Sequence, residues 1–128
     1  MMKRTLIFIS LLMFLCSCGA EKDSICSSVE LRAVCKDAEF VSIKVDNSLQ
    51  GNFFRNLNTG MEYDYPLFIG GHCSLKVLKG VYIFAFDGVG TCPDGSTRKV
   101  RCYSHRSPND SVNILEDSCE IEFDLMLL

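Results

Sequence analysis

The chain has 128 residues, a formal net charge of −3 and eight cysteines. That length provides one domain and excludes two domains of ordinary size. A mildly acidic chain without a long basic run argues against nucleic acid as a partner.

The first seventeen residues have the pattern of an export signal. Lys3 and Arg4 form a short positive leader, and the apolar run from Leu6 to Leu15 is broken only by Ser10. The run is shorter than the about 20 apolar residues needed to cross a bilayer. With small residues after it, the pattern predicts a signal peptide that is removed on export.

The segment Leu15-Cys16-Ser17-Cys18 ends this run and closely resembles the lipobox of bacterial lipoproteins. The resemblance implies that Cys18 becomes the mature N-terminus and carries several acyl chains, palmitate among them, because one chain alone anchors only marginally. It also implies a bacterial cell-envelope location, with the domain in the periplasm or at the cell surface. In a bacterium with two membranes, Gly19 implies the outer membrane. The alternative is cleavage after Ala20, which would discard Cys18.

Lipidation at Cys18 divides the chain into a signal peptide (1–17), a polar tether (18–24) and one domain (25–128). Loss of Lys3 and Arg4 with the signal changes the net charge from −3 to −5. The domain contains six cysteines: Cys26, Cys35, Cys73, Cys92, Cys102 and Cys119. An even number in a short exported chain predicts three disulfides. A zinc site would need close Cys-x-x-Cys pairs, which this segment lacks.

The connectivity of these disulfides stays open between two patterns. A local Cys26–Cys35 bridge and a Cys35–Cys119 bridge between the first and last strands are both plausible. A hairpin turning at residues 93–96 would hold Cys92 and Cys102 about 16 Å apart. That is beyond the Cα separation of about 7 Å that a bridge permits, so either the turn is wider or each of these two cysteines pairs elsewhere.

The first half of the domain shows short alternating segments. Residues 25–34 are ambiguous, because Ser28 would cap a helix while the apolar positions also alternate as in a strand. Residues 40–46 predict a half-buried strand. The Asn58-Thr59-Gly60 loop between alternating segments predicts a hairpin, since Asn and Gly tolerate positive φ, and Pro66 ends its second arm.

The second half contains the most apolar stretch, residues 81–86, which predicts a central strand covered on both faces. Cys92-Pro93-Asp94-Gly95-Ser96 predicts a turn. Further strands are predicted at residues 67–69, 74–78, 97–104, 112–115 and 119–127. Short strands with frequent turns and no long helical pattern indicate an all-β domain: a small antiparallel sandwich or barrel, braced by disulfides.

Few residues suggest chemistry. His72 and His105 are not spaced as metal ligands, and the step from His72 to Cys73 would form a catalytic pair only if the thiol were reduced. No catalytic motif of the common hydrolases is present. The sequence therefore predicts no enzyme, no cofactor and no metal site.

One basic concentration could meet an acidic partner such as a glycan or a lipid phosphate. This possible ligand surface consists of Arg98, Lys99, Arg101 and Arg106. The alternative is a charged hairpin that prevents edge-to-edge aggregation. The aromatic residues Phe53, Phe54, Tyr63 and Tyr65 are expected in the core rather than on a binding surface.

Three segments carry a family resemblance: Cys35-Lys-Asp-Ala-Glu-Phe-Val-Ser-Ile-Lys-Val-Asp-Asn47, Gly80-Val-Tyr-Ile-Phe84 and Val112-Asn-Ile-Leu-Glu-Asp-Ser-Cys119. Their order resembles the membrane-bound inhibitors of C-type lysozyme, which are small all-β lipoproteins of bacterial envelopes. The family's Ser-Gly-x-x-Tyr segment is missing near Gly70, and Asp87 stands before Gly88 where the family has Lys. The extra cysteines also depart from the family, and no site residue is transferred.

Together these patterns predict a lipid-anchored envelope lipoprotein whose β domain binds an envelope or extracellular partner, a protein or a glycan, without catalysis. One alternative is an inhibitor of lysozyme or another envelope hydrolase. The other is a small envelope enzyme with an unrecognised site.

Overall fold

The structure is a computed structural model that describes residues 25–128. The leader, Cys18 and the predicted tether lie outside the described residues. The described chain forms ten strands: β1 (Cys26–Cys35), β2 (Ser42–Val45), β3 (Phe53–Asn56), β4 (Phe68–Ile69), β5 (His72–Leu78), β6 (Gly80–Ala85), β7 (Asp87–Thr91), β8 (Thr97–Cys102), β9 (Val112–Ile114) and β10 (Ser118–Leu127). A single 3-10 turn covers Pro108–Asp110. Within residues 25–128, no helix is long and apolar enough to cross a bilayer.

Seven strands close into a barrel in the order β1-β10-β8-β7-β2-β4-β5, and β6 lies between β3 and β9 in a second sheet. The prediction of an all-β fold is confirmed, and of the two predicted architectures the chain adopts the barrel. Strands β1 and β10 are parallel, with Ser28 opposite Ser118 and Cys35 opposite Leu125. The other strand pairs are antiparallel. A parallel pair cannot be joined by a tight hairpin, and here almost the whole domain separates the two strands.

The ambiguous segment at the start of the domain is strand β1. Ser27, Val29 and Leu31 are buried, while Ser28 and Glu30 between them are exposed. This period of two places one side of β1 in the barrel interior. A helix would have spread the same residues over several faces, so the barrel decides the conformation.

The prediction of a central strand at residues 81–86 is confirmed by β6, whose residues from Tyr82 to Ala85 are all buried, as is Phe86 after them. The chain continues through Phe86 into β7 and so passes from the small sheet into the barrel. Aromatic rings fill the junction: Phe84 lies 4.6 Å from Phe54 and 4.8 Å from Phe123, measured between ring centroids. One core therefore serves both sheets.

The predicted hairpin turn at residues 58–60 is present, with Gly60 at φ +77°. Its second arm pairs with β3 only through the bridge between Arg55 and Glu62 and adjoining backbone hydrogen bonds. Buried Asn56 organises the turn, because its Oδ1 accepts the N–H groups of Asn58 and Thr59 and its Nδ2 donates to the hydroxyl of Tyr82.

Strand β7 is absent from the sequence-based prediction. Gly88 and Gly90 fill its inward positions, and glycine is depleted in strands. The structure explains both residues, since a Cβ on Gly90 would come within 2.3 Å of the ring of Phe40, and one on Gly88 within 3.1 Å of the side chain of Ile43. Side chains from β2 and the loop before it occupy the space that β7 leaves empty.

The structure contains none of the three predicted disulfides, because all six cysteines of the domain are free thiols. Cys26 and Cys35 are the two ends of β1, about 30 Å apart. Cys119 lies opposite Val29, which is six positions, or about 20 Å, from Cys35. Both bridges considered from the sequence are therefore excluded by the fold.

Other cysteine pairs are also held apart by strand register. Cys35 and Cys102 lie on opposite sides of Leu125, so two strand spacings, about 10 Å, separate their Cα atoms. A bridge needs about 7 Å. The prediction that a tight hairpin keeps Cys92 and Cys102 apart is confirmed. Thr91 lies opposite Thr97 at the turn end of the hairpin, and the Cys102 N–H donates to the Phe86 carbonyl at its other end.

Candidate functional site

The four residues of the predicted basic surface lie on β8 and the loop after it, but they do not form one surface. Lys99 and Arg101 are exposed on the outer side of β8, while Val100 and Cys102 face the core. Arg106 lies beyond the strand, and its Nη1 donates to the carbonyl oxygen of Cys102 at 2.6 Å. Arg98 is exposed and lies opposite Gly90 near the end of the hairpin.

Arg101 is already engaged by a carboxylate on the neighbouring strand. Its Nε donates to Asp87 Oδ1 at 2.8 Å and its Nη2 to Asp87 Oδ2 at 2.9 Å. These two hydrogen bonds hold the pKa of Asp87 below its ordinary range. The pair links β7 to β8 and leaves little positive charge on Arg101 for a ligand.

A row of outward side chains crosses β2, β7 and β8 beside this ion pair and ends at Leu128, the residue after β10. Lys44 lies opposite Val89, and Val89 lies opposite Lys99. Leu128 follows, since its N–H donates to the Lys99 carbonyl at 3.0 Å. Val89 is 43% exposed and Leu128 55% exposed, so apolar and cationic side chains alternate along one face.

The turn after β2 closes one side of this row and makes it a groove. Asp46 Oδ1 accepts the N–H of Ser48 at 3.0 Å and its hydroxyl at 2.6 Å, and these bonds lower the pKa of Asp46. The turn presents Leu49, which is 54% exposed, to the groove. The cavity volume is about 800 Å³, within the range of small-molecule sites.

We call this feature the β7–β8 groove and define it by Lys44, Leu49, Val89, Lys99 and Leu128. Only Lys99 belongs to the surface predicted from the sequence. The pairing of Val89 with Lys99 could have been found by folding β7 and β8 back about the predicted turn at residues 92–96. Lys44, Leu49 and Leu128 come from other parts of the chain, and only barrel closure brings them together.

A second cavity of about 640 Å³ opens where β1 ends and β5 begins, and His72 is among its lining residues. His72 Nδ1 lies 2.9 Å from Glu30 Oε1, and both side chains are about half exposed. Cys35 and Arg32 also line this cavity. The lining therefore contains the histidine of this pair together with polar and thiol groups, while Glu30 lies outside it.

His72 and Cys73 do not form a catalytic pair. Successive side chains of a strand point to opposite sides, and the exposed His72 alternates with Cys73, which packs against the core. Burial raises the pKa of the Cys73 thiol to about 12, so it is almost entirely protonated at neutral pH. An inert thiol is the expected behaviour at this position.

His105 has a structural role in the loop after β8. It adopts a positive φ of 58°, its N–H donates to Asp110 Oδ2 at 2.7 Å, and its carbonyl accepts the N–H of Phe84 at 2.7 Å. These bonds tie the loop to the 3-10 turn and to β6. Across residues 25–128, no group of three or more His, Cys, Asp or Glu side chains is arranged to hold a metal ion.

Of the four aromatic residues expected in the core, Phe54, Tyr63 and Tyr65 belong to it or pack against it, and Phe53 does not. Phe54 and Tyr65 are buried, and Tyr63 packs against Phe54 at 5.5 Å between centroids. Phe53 is half-buried under the guanidinium of Arg55, which lies 4.4 Å from its ring centroid. None of these rings lines the β7–β8 groove.

We found no family model, no curated protein and no solved structure that matches this chain.

Proposed function

We propose that the chain is a bacterial envelope lipoprotein, anchored by lipid on Cys18, whose barrel domain binds a partner without catalysing a reaction. The leader and the lipobox-like segment support the anchor. The β7–β8 groove is the observation that supports binding, because it brings three exposed apolar side chains and two lysines together on one barrel face.

The predicted tether sets where the partner must be. Seven residues, 18–24, span at most about 25 Å when fully extended. The domain would therefore remain close to the membrane surface, and its partner would be a component of the envelope or a molecule that reaches it.

Lipidation is tested by growing the source bacterium with labelled palmitate and comparing Cys18→Ala with Cys16→Ala. We expect the label and the membrane fraction to be lost in Cys18→Ala and kept in Cys16→Ala, because only Cys18 occupies the modified position of the lipobox. The proposed lipid anchor would be contradicted if the wild-type protein incorporated no labelled palmitate, or if the Cys18→Ala protein stayed in the membrane fraction.

Partner binding is tested by a pull-down of the anchored protein from its own envelope. A Lys44→Glu/Lys99→Glu variant serves as the matched control, because both side chains are exposed on the groove. The proposal requires a partner that the wild-type protein retains and the variant loses. Equal recovery with both proteins would place binding elsewhere on the domain.

A hydrolase inhibitor is the second candidate function, and the small closed β domain is consistent with the resemblance that suggests it. The assay is lysozyme activity in the presence of the soluble 19–128 fragment. Inhibition at micromolar fragment supports this function, and unchanged lysozyme activity removes it.

A small envelope enzyme is the third candidate, favoured by the His72–Glu30 pair at the edge of the second cavity. The assay is release of soluble fragments from purified cell walls by the 19–128 fragment. A rate that falls at least tenfold in His72→Gln would support catalysis at this cavity. No release by the wild-type fragment would exclude cell wall as its substrate.

A further inference from the structure

We propose that the β7–β8 groove binds an anionic amphiphile, a molecule with one aliphatic chain and a carboxylate or phosphate head. This inference rests on the binding function proposed above and specifies its ligand. It is carried by the alternation of lysine and apolar side chains from β2 across β7 and β8 to Leu128, the residue after β10.

The apolar part of the groove provides the site for the aliphatic chain. Leu49, Val89 and Leu128 are between 43% and 55% exposed, and they line one concave surface. Single exposed apolar residues are ordinary, but several around one hollow mark a binding surface. Covering them with an aliphatic chain removes apolar area from water on both sides, which is favourable.

The two lysines provide the site for the head. Lys44 and Lys99 flank Val89 on the two neighbouring strands, so each Cα is about 4.8 Å to one side of it. Flexible lysine side chains of this placement can converge on one anion above Val89. Because an ammonium acts as a point charge, the site accepts either a carboxylate or a phosphate.

The charges around the groove favour an anion. Asp87 is neutralised by Arg101, and Asp46 is the remaining acidic side chain of the lining. Among the side chains of the lining, two lysines stand against one uncompensated carboxylate, so the net side-chain charge is positive. Residues 25–128 as a whole carry ten Lys and Arg against fourteen Asp and Glu, so the groove differs in sign from the domain.

An amphiphile fits this surface better than a polyanion. A polyanionic glycan or acidic peptide would need a continuous cationic track, yet Arg101 is paired with Asp87 and Arg106 bonds to the backbone. Of the cations that remain, Arg98 lies near the end of the hairpin outside the groove, and Lys44 and Lys99 are separated by an apolar residue. One head group beside one aliphatic chain matches that spacing.

Binding is tested with the 19–128 fragment, which contains all ten strands and the whole described core. The probe is sodium dodecanoate below its micelle concentration, followed by amide chemical shifts and by calorimetry. We expect saturable binding, with the largest shift changes at residues 44, 89 and 99. Lys44→Gln/Lys99→Gln should weaken the affinity at least tenfold, and Val89→Asn several-fold.

The controls test separately the position of the lysines, the aliphatic chain of the ligand and the charge of its head group. Lys36→Gln, an exposed lysine outside the groove, should leave the affinity unchanged. Acetate, which lacks the chain, and dodecyltrimethylammonium, which has the opposite charge, should bind at least tenfold more weakly than dodecanoate. Thermal unfolding of each variant, matched to wild type, shows that a loss of affinity is not a loss of fold.

Several results would overturn the assignment. They are absence of saturable dodecanoate binding, equal binding of the cationic amphiphile, equal affinity of the double lysine variant, or tighter binding of a hexaglutamate peptide. The assignment would also be overturned if the fragment sedimented with phosphatidylglycerol vesicles but did not bind dodecanoate. That result would indicate that the groove binds a bilayer surface. In each case, labelling at Cys18 and the pull-down would still test the proposed lipoprotein function separately.

Discussion

Single contacts decide which charged residues of the domain are available to a ligand. Arg101 and Lys99 are both exposed on β8, yet the Arg101 guanidinium is bonded to both oxygens of Asp87. Arg106 is held by a backbone carbonyl. Sequence alone shows four cations close together, and only side-chain geometry separates the engaged ones from Lys99.

The Asp87–Arg101 pair predicts a pH-dependent contribution to stability. Because folding lowers the pKa of Asp87, the pair stabilises the fold above the unfolded-state pKa of about 3.9, and this contribution is lost as the pH falls through the folded-state pKa. The side chains are 46% and 43% exposed, so Asp87→Asn should cost only about 0.5 kcal/mol at pH 7.

The measurement is urea unfolding of wild type and Asp87→Asn at pH 7 and at pH 3. The difference between the two proteins should shrink at pH 3, because Asp87 in the unfolded chain has taken up a proton by then and the contribution falls as the pH approaches the lowered folded-state pKa. Arg101→Gln should show the same behaviour. A difference that is as large at pH 3 as at pH 7 would mean that the ion pair is not its source.

The cysteines give a second prediction at this scale. Burial raises the pKa of Cys73 from 9.0 to about 12, which reduces its thiolate fraction about 1,000-fold, and burial also raises the pKa of Cys102. In the folded 19–128 fragment these two thiols should be alkylated by iodoacetamide much more slowly than Cys35. After denaturation all six should react. Mass spectrometry that finds fewer than six modified cysteines would contradict the free-thiol structure.

Strand β7 shows how an element can be hidden from sequence reasoning. Its inward positions are glycines, so it lacks the β-branched and aromatic residues that identify strands. The missing side-chain volume is supplied by Phe40, which precedes β2, and by Ile43, which lies in β2. Packing between distant segments therefore creates this strand, whereas β6 is recognisable from its own composition.

This packing predicts the cost of adding one methyl group to β7. Gly90→Ala would place a Cβ within 2.3 Å of the Phe40 ring, and moving that ring out of a closed core should cost about 1–3 kcal/mol. Gly51→Ala is the matched control, because nothing lies within 4 Å of its Cβ position. Chemical unfolding of both variants measures the difference. Equal stability of the two would show that Phe40 relaxes freely.

The whole barrel depends on its last strand. β10 pairs with β1 on one side and with β8 on the other, and it contributes the buried Ile121, Phe123 and Leu125 to the core. Because this strand closes the barrel, we expect no stable fold of the domain in its absence.

Removal of β10 is therefore predicted to abolish cooperative folding. A fragment of residues 19–117 would leave β1 and β8 without their shared partner and expose the core they cover. We expect loss of the thermal transition by circular dichroism and strong binding of a hydrophobic dye. The 25–128 fragment is the control, since it retains every described strand. A cooperative transition in the 19–117 fragment would contradict the closure argument.

Closure of the barrel also explains why the prediction of three disulfides, made from the number of cysteines, was wrong. Six cysteines in an exported chain are a reasonable signal for disulfides, but bridging depends on Cα separation. Register holds Cys35 two strand spacings from Cys102 and places Cys26 at the far end of β1 from Cys35. An oxidising compartment cannot join thiols that a rigid sheet holds apart.

The sequence by itself determined the local features of this protein: the all-β class, the turns at residues 58–60 and 92–96, and the buried strand at residues 81–86. These follow from the alternation of neighbouring side chains and from residues that tolerate particular turns, which are short-range properties. The tertiary structure alone decided that β1 is a strand, that it runs parallel to β10, and that the thiols are unbridged. It also assembled the β7–β8 groove, because Lys44, Val89 and Leu128 become neighbours only when strands far apart in the chain pair around a closed barrel.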